Sequence, residues 1–135
     1  MAGSTIIPAI RYRDARMMID WLGRAFGFTA HAVHDDAAGG VAHAQLTLGP
    51  GMIMLGSARP DEYGKLVAPP APGEAVAQGA YIVVPVADAV YASAMAAGAE
   101  ILRPIQDEDY GGRGFICRDP EGQVWSVGSY DPWKG

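Results

Sequence analysis

The sequence contains an internal repeat with a constant offset of 72 residues. Gly39-Gly40 returns as Gly111-Gly112 (111 − 39 = 72), and Gly56-Ser57 returns as Gly128-Ser129 (128 − 56 = 72). The 22 aligned positions that begin at Gly39 contain no gap and five identical residues. A repeat of about 55–60 residues is marginal as an independent fold, so the pattern predicts two copies of one unit that share a core.

Both halves carry the same predicted order of strand, helix and three strands. Asp14 is a good helix N-cap and Gly27 a good helix stop, and Asp88 and Gly98 bracket an Ala-rich helix in the second half. The first helix repeats apolar residues at the spacing of one face: Met17, Met18, Trp21, Leu22, Ala25 and Phe26. The predicted strands are Thr5–Arg13, Phe28–His34, Val41–Leu48, Met52–Ser57, Gly79–Pro85, Ala99–Ile105, Arg113–Arg118 and Gln123–Ser129.

This order predicts an α+β fold in which two tandem β-α-β-β-β modules form a curved mixed sheet around a groove. We expect one domain over residues 1–135, with module one at 5–57 and module two at 79–130. The segment 58–78 is predicted to be a linker because proline and glycine interrupt it repeatedly. Residues Asp119-Pro120-Glu121-Gly122 are typical of a type I turn between the last two strands.

Composition excludes several classes of protein. The formal net charge of −5 argues against a nucleic-acid partner, which requires a basic face. No apolar run reaches about 18 residues, and no signal peptide is recognisable, so we expect no membrane partner. The single cysteine, Cys117, cannot form an internal disulfide, which favours a reducing compartment and a cytoplasmic protein.

The residues of the last hairpin resemble those of a known family. The hairpin residues are Arg118-Asp119-Pro120-Glu121-Gly122-Gln123-Val124-Trp125-Ser126-Val127-Gly128, and the helix ends are Trp21–Phe28 and Ala96–Ala99. The chain resembles the vicinal oxygen chelate superfamily in its last hairpin and at its helix ends. That superfamily comprises glyoxalases, bleomycin-resistance proteins and dioxygenases, and the resemblance is strongest to its PhnB-like branch. It covers nearly the whole chain. Because the superfamily is functionally diverse, the resemblance does not name a reaction.

The resemblance implies four positions at which metal-dependent members hold their ion. Counting seven residues before each predicted helix cap gives Ile7 and Tyr81, and the last strands give Met54 and Ser126. Isoleucine has no donor atom, methionine is a soft thioether, serine is a weak neutral ligand and tyrosine would need deprotonation. We therefore expect no metal site and no cofactor.

Other candidate catalytic groups have simpler interpretations. His31 and His34 are spaced for one face of a helix, but they fall on a predicted strand, where they point to opposite sides. Cys117 lies between apolar and basic neighbours in a short strand and is interpreted as a buried structural thiol. The glycines around Arg113 lack the lysine and hydroxyl residue that complete a phosphate loop, so they are interpreted as a turn.

Strand alternation and the resemblance together predict which side chains line the groove. His43, Gln45 and Thr47 share one strand face, and His43 is either an acid-base or ligand-binding group or a structurally satisfied histidine. The repeat alignment instead pairs His43 with Phe115 and Gln45 with Cys117, an apolar set, which indicates a shifted register in one of the two modules. The predicted ligand-binding residues are Arg11, His43, Met54, Tyr81, Tyr110 and Ser126.

Three hypotheses of function follow, of which the third is a stress-related or regulatory protein whose groove has become a partner surface. The first is a metal-independent, bleomycin-resistance-like protein that binds an aromatic or amphipathic small molecule in the inter-module groove without chemistry. The second is a glyoxalase-like lyase or isomerase, or another metal-dependent enzyme with non-standard ligands, in which His43 acts as the base. The resemblance also implies a homodimer, and a linker at 58–78 is compatible with exchange of modules between two chains.

Overall fold

A computed structural model describes residues 3–134; the ends of the predicted domain, Met1, Ala2 and Gly135, lie outside the described residues. The chain divides into two compact units, one that ends at Pro69 and one that begins at Pro70. Each unit contains one α-helix and one four-stranded mixed sheet. The α+β class and the two tandem β-α-β-β-β modules are therefore confirmed.

The first unit has one parallel and two antiparallel strand pairs. Its strand order is β1-β4-β3-β2, in which only β1 and β4 are parallel. The first strand begins at Ala9 and not at the predicted Thr5, because Pro8 has no N–H to continue the ladder. A 3₁₀ turn, Tyr63–Lys65, lies within the predicted linker. The elements are β1 Ala9–Tyr12, α1 Ala15–Phe26, β2 Thr29–Asp35, β3 Val41–Leu48 and β4 Gly51–Ser57.

Helix α1 has the predicted ends. Asp14 accepts a hydrogen bond from the Met17 backbone N–H at 3.1 Å, and Gly27 takes the left-handed conformation that ends the helix. Met17 was placed on the buried face by its spacing, but it is 37% exposed, so that part of the prediction is wrong. Its neighbours on the buried face, Met18, Trp21, Leu22, Ala25 and Phe26, form most of the core under the sheet.

The second unit repeats this topology. Its strand order is β5-β8-β7-β6, again with a single parallel pair, β5 with β8. Helix α2 contacts β6, β7 and β8, and the Tyr91 ring meets the buried Phe115 ring edge to face at 5.0 Å. The elements are β5 Ala80–Val83, α2 Ala87–Ala96, β6 Glu100–Asp107, β7 Arg113–Arg118 and β8 Val124–Gly128.

Helix α2 begins earlier than the sequence predicts. Val86 is its N-cap and makes no side-chain capping bond, and Asp88 lies inside the first turn. The Asp88 carboxylate instead binds the Arg113 guanidinium at 3.0 and 3.1 Å. The prediction that Asp88 caps this helix is therefore wrong, because an ion pair to β7 competes with the capping contact. With Val86 as cap, the two helix caps again differ by 72 (86 − 14).

The strand registers resolve the conflict over His43. In the first unit Gln45 lies opposite Met54, and in the second Ile116 lies opposite Ser126. The last strands therefore align at an offset of 72, but the preceding strands align at 71 (116 − 45), because the second hairpin is one residue longer. At an offset of 71, Gly114 and not Phe115 corresponds to His43. The polar set of β3 thus lies on the face opposite α1, while Ala44 and Leu46 are buried beneath the helix.

The Gly40–Ser57 and Gly112–Ser129 pairs of the repeat have one physical cause. The Ser57 hydroxyl accepts the Val41 backbone N–H at 2.9 Å, and the Ser129 hydroxyl accepts the Arg113 N–H at 3.0 Å. A Cβ at Gly40 or at Gly112 would lie 2.9 or 2.7 Å from the serine oxygen, which is closer than real Cβ atoms approach. The glycines therefore make room for a hydrogen bond that closes each hairpin loop onto the last strand.

Gly112→Ala is expected to destabilise the protein by about 2 kcal/mol, because φ is +72° and the added methyl group meets both Ser129 and the Tyr130 backbone N. Gly39→Ala is the matched control. It has a similar φ of +86° but nothing within 4 Å of its Cβ, so it should cost only about 1 kcal/mol. Urea unfolding of both variants separates the contact from the backbone cost, and equal losses would contradict the crowding argument.

Candidate functional site

Three of the predicted ligand-binding residues meet in one pocket of the first unit. Arg11 on β1, His43 on β3 and Met54 on β4 line an open pocket of about 240 Å³. Tyr63 from the 3₁₀ turn and aliphatic residues and glycine of the same three strands complete the lining. The pocket therefore combines one cation, one imidazole, one thioether and one phenol with aliphatic surface.

Arg11 is the main charged group of this pocket. Its guanidinium donates to both carboxylate oxygens of Asp61 at 3.3 Å and lies 4.9 Å from the centre of the Tyr63 ring. The Arg11 side chain is only 14% exposed, whereas that of Asp61 is 43% exposed. The Arg11 hydrogen bonds and the Gly64 backbone N–H lower the pKa of Asp61, so this carboxylate is ionised at neutral pH.

His43 takes part in a local polar cluster. Its Nε2 atom lies 3.1 Å from the Gln45 side-chain nitrogen, so His43 accepts this hydrogen bond when the neighbouring amide donates. The ring stacks near-parallel to His34, its partner across the β2–β3 ladder, with ring centres 6.2 Å apart. His34 and His43 thus share a face, while the HxxH pair of His31 and His34 lies on strand β2, as predicted.

Tyr63 is a pocket residue that sequence reasoning missed. It lies in the segment predicted to be an irregular linker, where proline and glycine content gave no reason to expect an ordered aromatic side chain. The available signal was Asp61 followed by Gly64, since an aspartate side chain can accept a backbone N–H a few residues later and open a turn. Asp61 indeed accepts the Gly64 backbone N–H at 2.7 Å and fixes this turn.

The other predicted residues lie in the second unit. Tyr81 and Ser126 are partners across the β5–β8 pair, on the sheet face opposite α2. The Tyr81 hydroxyl donates to the Tyr130 carbonyl at 2.7 Å, and the Tyr110 ring meets the Tyr130 ring edge to face at 5.0 Å. Partial burial and the nearby Glu108 charge raise the pKa of Tyr81, so its phenol stays protonated.

Glu108 is the second group that the sequence did not predict. Its carboxylate accepts two hydrogen bonds from Arg103, at 2.8 and 2.7 Å, one from Tyr110 at 2.7 Å and one from Gln106 at 3.2 Å. These donors lower the pKa of Glu108 to about 2, although burial opposes that shift. The hydrogen bond to Glu108 in turn raises the pKa of Tyr110. The polar loop after β6 is therefore an ordered ionic network.

The positions at which related enzymes hold a metal ion do not fit one here. The residue opposite Met54 is Ala9, so the assignment of Ile7 to this position is wrong. Asp14 does cap its helix, but the position lies five and not seven residues before the cap (14 − 9 = 5), as Tyr81 lies five residues before Val86 (86 − 81 = 5). Alanine has no donor atom, and the Tyr81 hydroxyl is a protonated donor to a carbonyl. Within residues 3–134, no three His, Cys, Asp or Glu side chains are grouped to hold a metal ion. Ala9, Met54, Tyr81 and Ser126 cannot supply the hard anionic or imidazole ligands that such an ion needs.

The expectation for Cys117 is settled by its burial. Cys117 is buried as predicted, and burial with the nearby Asp119 charge raises the pKa of its thiol to about 12, so the thiol stays protonated at neutral pH. In the part of the chain that the structure describes, no helix is long and apolar enough to cross a membrane.

Comparisons with known proteins agree with the fold. The structure is similar to TioX from Micromonospora sp. ML1 (29% identity, 93% of this chain and 94% of that chain, TM-score 0.72). It is also similar to a glyoxalase-related enzyme from Fulvimarina pelagi (15% identity, 93% and 86%, TM-score 0.69). A third similar structure is a glyoxalase/bleomycin resistance protein/dioxygenase family enzyme from Burkholderia phytofirmans PsJN (19% identity, 89% and 93%, TM-score 0.65).

A comparison with curated proteins gives no significant match. The family model of the Glyoxalase/Bleomycin resistance protein/Dioxygenase superfamily matches residues 6–127, which cover all but the outer ends of the two modules. This chain therefore belongs to the Glyoxalase/Bleomycin resistance protein/Dioxygenase superfamily.

Proposed function

We propose that this protein is a metal-independent small-molecule-binding member of its superfamily, which holds an aromatic or amphipathic organic ligand in the pocket of the first unit. One observation carries the proposal. The pair of positions where a metal ligand would be expected in this unit holds Ala9 and Met54, yet Arg11, His43 and Tyr63 still converge on the same pocket. The polar groups that remain are suited to orienting a ligand.

The composition of the pocket supports an aromatic ligand. Small-molecule sites combine apolar surface with a few placed polar groups, and this pocket offers both. Its volume of about 240 Å³ exceeds the roughly 150 Å³ of a cavity known to hold benzene, so one or two fused rings can enter. The thioether of Met54 favours contact with a ring edge, and the phenol of Tyr63 offers a second aromatic contact.

Met54→Ala is expected to weaken binding of a neutral aromatic probe, 2-naphthamide, about three- to tenfold, because it removes the sulfur–aromatic contact. Met95→Ala is the matched control, since Met95 is 47% exposed on α2 of the other unit and should leave affinity unchanged. Ligand-observed NMR titration measures both affinities. Equal effects of the two substitutions would show that the probe does not occupy this pocket.

The same titration tests metal independence. Because the donor set does not suit a divalent cation, treatment with EDTA should leave the affinity for 2-naphthamide and the metal content per chain unchanged. Mass spectrometry of the recovered probe should show an unmodified compound, as expected for binding without chemistry. Stoichiometric zinc, nickel, manganese or iron that leaves together with binding activity would contradict the proposal.

A further inference from the structure

The contact between Arg11 and Asp61 is looser than a strong ion pair in the same chain. Both of its N–O distances are 3.3 Å, whereas the Arg103–Glu108 pair has distances of 2.8 and 2.7 Å. Charge-assisted hydrogen bonds of this kind are strongest at about 2.7–2.9 Å. Arg11 therefore contacts both carboxylate oxygens of Asp61 at distances longer than those of the strongest charge-assisted hydrogen bonds.

Asp61 can leave this contact at small cost. Its side chain is 43% exposed, so water can solvate the freed carboxylate. It also keeps a separate hydrogen bond, 2.7 Å from the Gly64 backbone N–H, which does not depend on Arg11. The carboxylate is thus anchored to its own turn and not to the sheet.

Arg11, in contrast, is held in place without Asp61. It extends from the parallel β1–β4 pair, opposite Gly56, and its guanidinium lies over the Tyr63 ring at 4.9 Å. With Asp61 in contact the Arg11 side chain is only 14% exposed, and the Tyr63 ring still covers the guanidinium when the Asp61 carboxylate turns away. When Asp61 moves away, the guanidinium keeps its orientation toward the pocket and needs another acceptor.

We propose that the ligand is an aromatic carboxylate, and that Asp61 occupies the place of the ligand carboxylate on Arg11 until the ligand displaces it. This inference rests on the proposed function and names the ligand class of the same pocket. The ligand carboxylate forms a bidentate pair with Arg11, and its ring lies beside Met54 and Tyr63. One carboxylate replaces another, so the charge next to Arg11 is unchanged by binding. A neutral ligand has no anionic acceptor for the guanidinium, and the positive charge of Arg11 would repel a cationic ligand.

The experiment compares 2-naphthoate with 2-naphthamide, two probes of one shape that differ in charge, by isothermal titration calorimetry at pH 7. The wild-type protein is expected to prefer naphthoate at least fivefold. Asp61→Asn should tighten naphthoate binding three- to tenfold and leave naphthamide binding unchanged, because it removes the competing carboxylate and retains an oxygen for Gly64 N–H. Arg11→Gln should abolish the preference, and Arg11→Lys, which keeps the charge without the fork, should reduce it.

Asp35→Asn is the matched control for net charge. Asp35 pairs with Arg16 at 2.6 Å on an exposed surface and does not line the pocket, so its substitution should not change either affinity. A merely structural Arg11–Asp61 pair would lower thermal stability in both pocket variants without tightening any ligand. Weaker naphthoate binding by Asp61→Asn would overturn the proposal.

The outcomes separate this inference from the proposed function. Equal affinity of the wild-type protein for both probes, with the weakening by Met54→Ala retained, overturns the carboxylate class and leaves small-molecule binding intact. Absence of binding by either probe up to millimolar concentration overturns both. A preference for naphthoate that survives Arg11→Gln places the anion elsewhere and overturns the role of Arg11.

Discussion

Asp119→Ala is expected to lower the free energy of unfolding by roughly 4 kcal/mol. Asp119 is only 4% exposed and accepts hydrogen bonds from three donors. These are the Glu121 backbone N–H at 2.9 Å, the Gln123 backbone N–H at 3.1 Å and the Trp125 indole N–H at 3.0 Å. Alanine removes the acceptor of all three hydrogen bonds. The indole N–H of Trp125 is buried, so water cannot replace the lost acceptor there.

Asp131→Ala is the control for this substitution. Asp131 also accepts a backbone N–H two residues later, from Trp133 at 2.9 Å, but on an exposed segment. Its loss should cost less than about 0.5 kcal/mol. Chemical denaturation followed by circular dichroism measures both variants. Losses of similar size would show that burial of the Asp119 contacts does not stabilise the fold.

The role of Asp119 explains why the two modules differ at this hairpin. The sequence predicted a turn at Asp119-Pro120-Glu121-Gly122, and the Gly122 N–H does donate to the Asp119 carbonyl at 3.0 Å. It did not predict a buried acceptor, because that need arises only when Trp125 packs under α2. At the offset of 72 the first module has Ile53 at this position, which needs no hydrogen bond. Its hairpin is shorter by one residue and carries no aspartate.

Local signals in the sequence were sufficient for most of the fold. Strands β3 and β7 have the predicted bounds, and Asp14 and Gly27 end α1 as capping chemistry requires. These features depend on a few neighbouring residues, so a single sequence contains the necessary information. The repeat made the tandem topology predictable, because both modules had to fit the same order of one strand, one helix and three strands.

Strand register could not be predicted in the same way. It depends on hairpin length, and a one-residue difference exchanges the two faces of a strand. The conflict between His43 and Phe115 was therefore visible in the sequence but resolved only by the pairing of Gln45 with Met54 and of Ile116 with Ser126. The Asp88 cap failed for a related reason. Its ion-pair partner, Arg113, is distant in sequence and close only in the folded unit.

The candidate site was predicted in part. Arg11, His43 and Met54 line one pocket because strand alternation places them on the face opposite α1. Tyr63 and Asp61 were missed because linker composition says nothing about a turn that packs against a sheet. These two residues change the chemistry most, since they hold the guanidinium of Arg11 from two sides. Strand periodicity can predict the pocket residues that lie on strands, but it cannot predict those that a loop contributes.

Glu108→Gln is expected to lower the free energy of unfolding at pH 7 by about 3 kcal/mol, because it leaves a partly buried Arg103 without its anionic partner. The Glu108 side chain is 7% exposed, and its four hydrogen bonds connect β6 to the loop before β7. Glu100→Gln is the matched control. Its carboxylate is 66% exposed and 3.8 Å from Arg118, so its removal should cost less than about 0.5 kcal/mol.

The cost of Glu108→Gln should also depend on pH in a defined direction. The pKa of Glu108 falls from an ordinary value of 4.5 to about 2 in the folded protein, so the unfolded chain binds the proton more tightly. The stabilisation is therefore complete above pH 4.5 and decreases as the pH falls toward 2. The difference in unfolding free energy between wild type and Glu108→Gln should shrink through this window, which urea titrations at pH 7, 4 and 2.5 can follow. A difference that stays constant over that range would show that the Glu108 charge does not stabilise the ionic network, and that the shape of the side chain alone accounts for its effect.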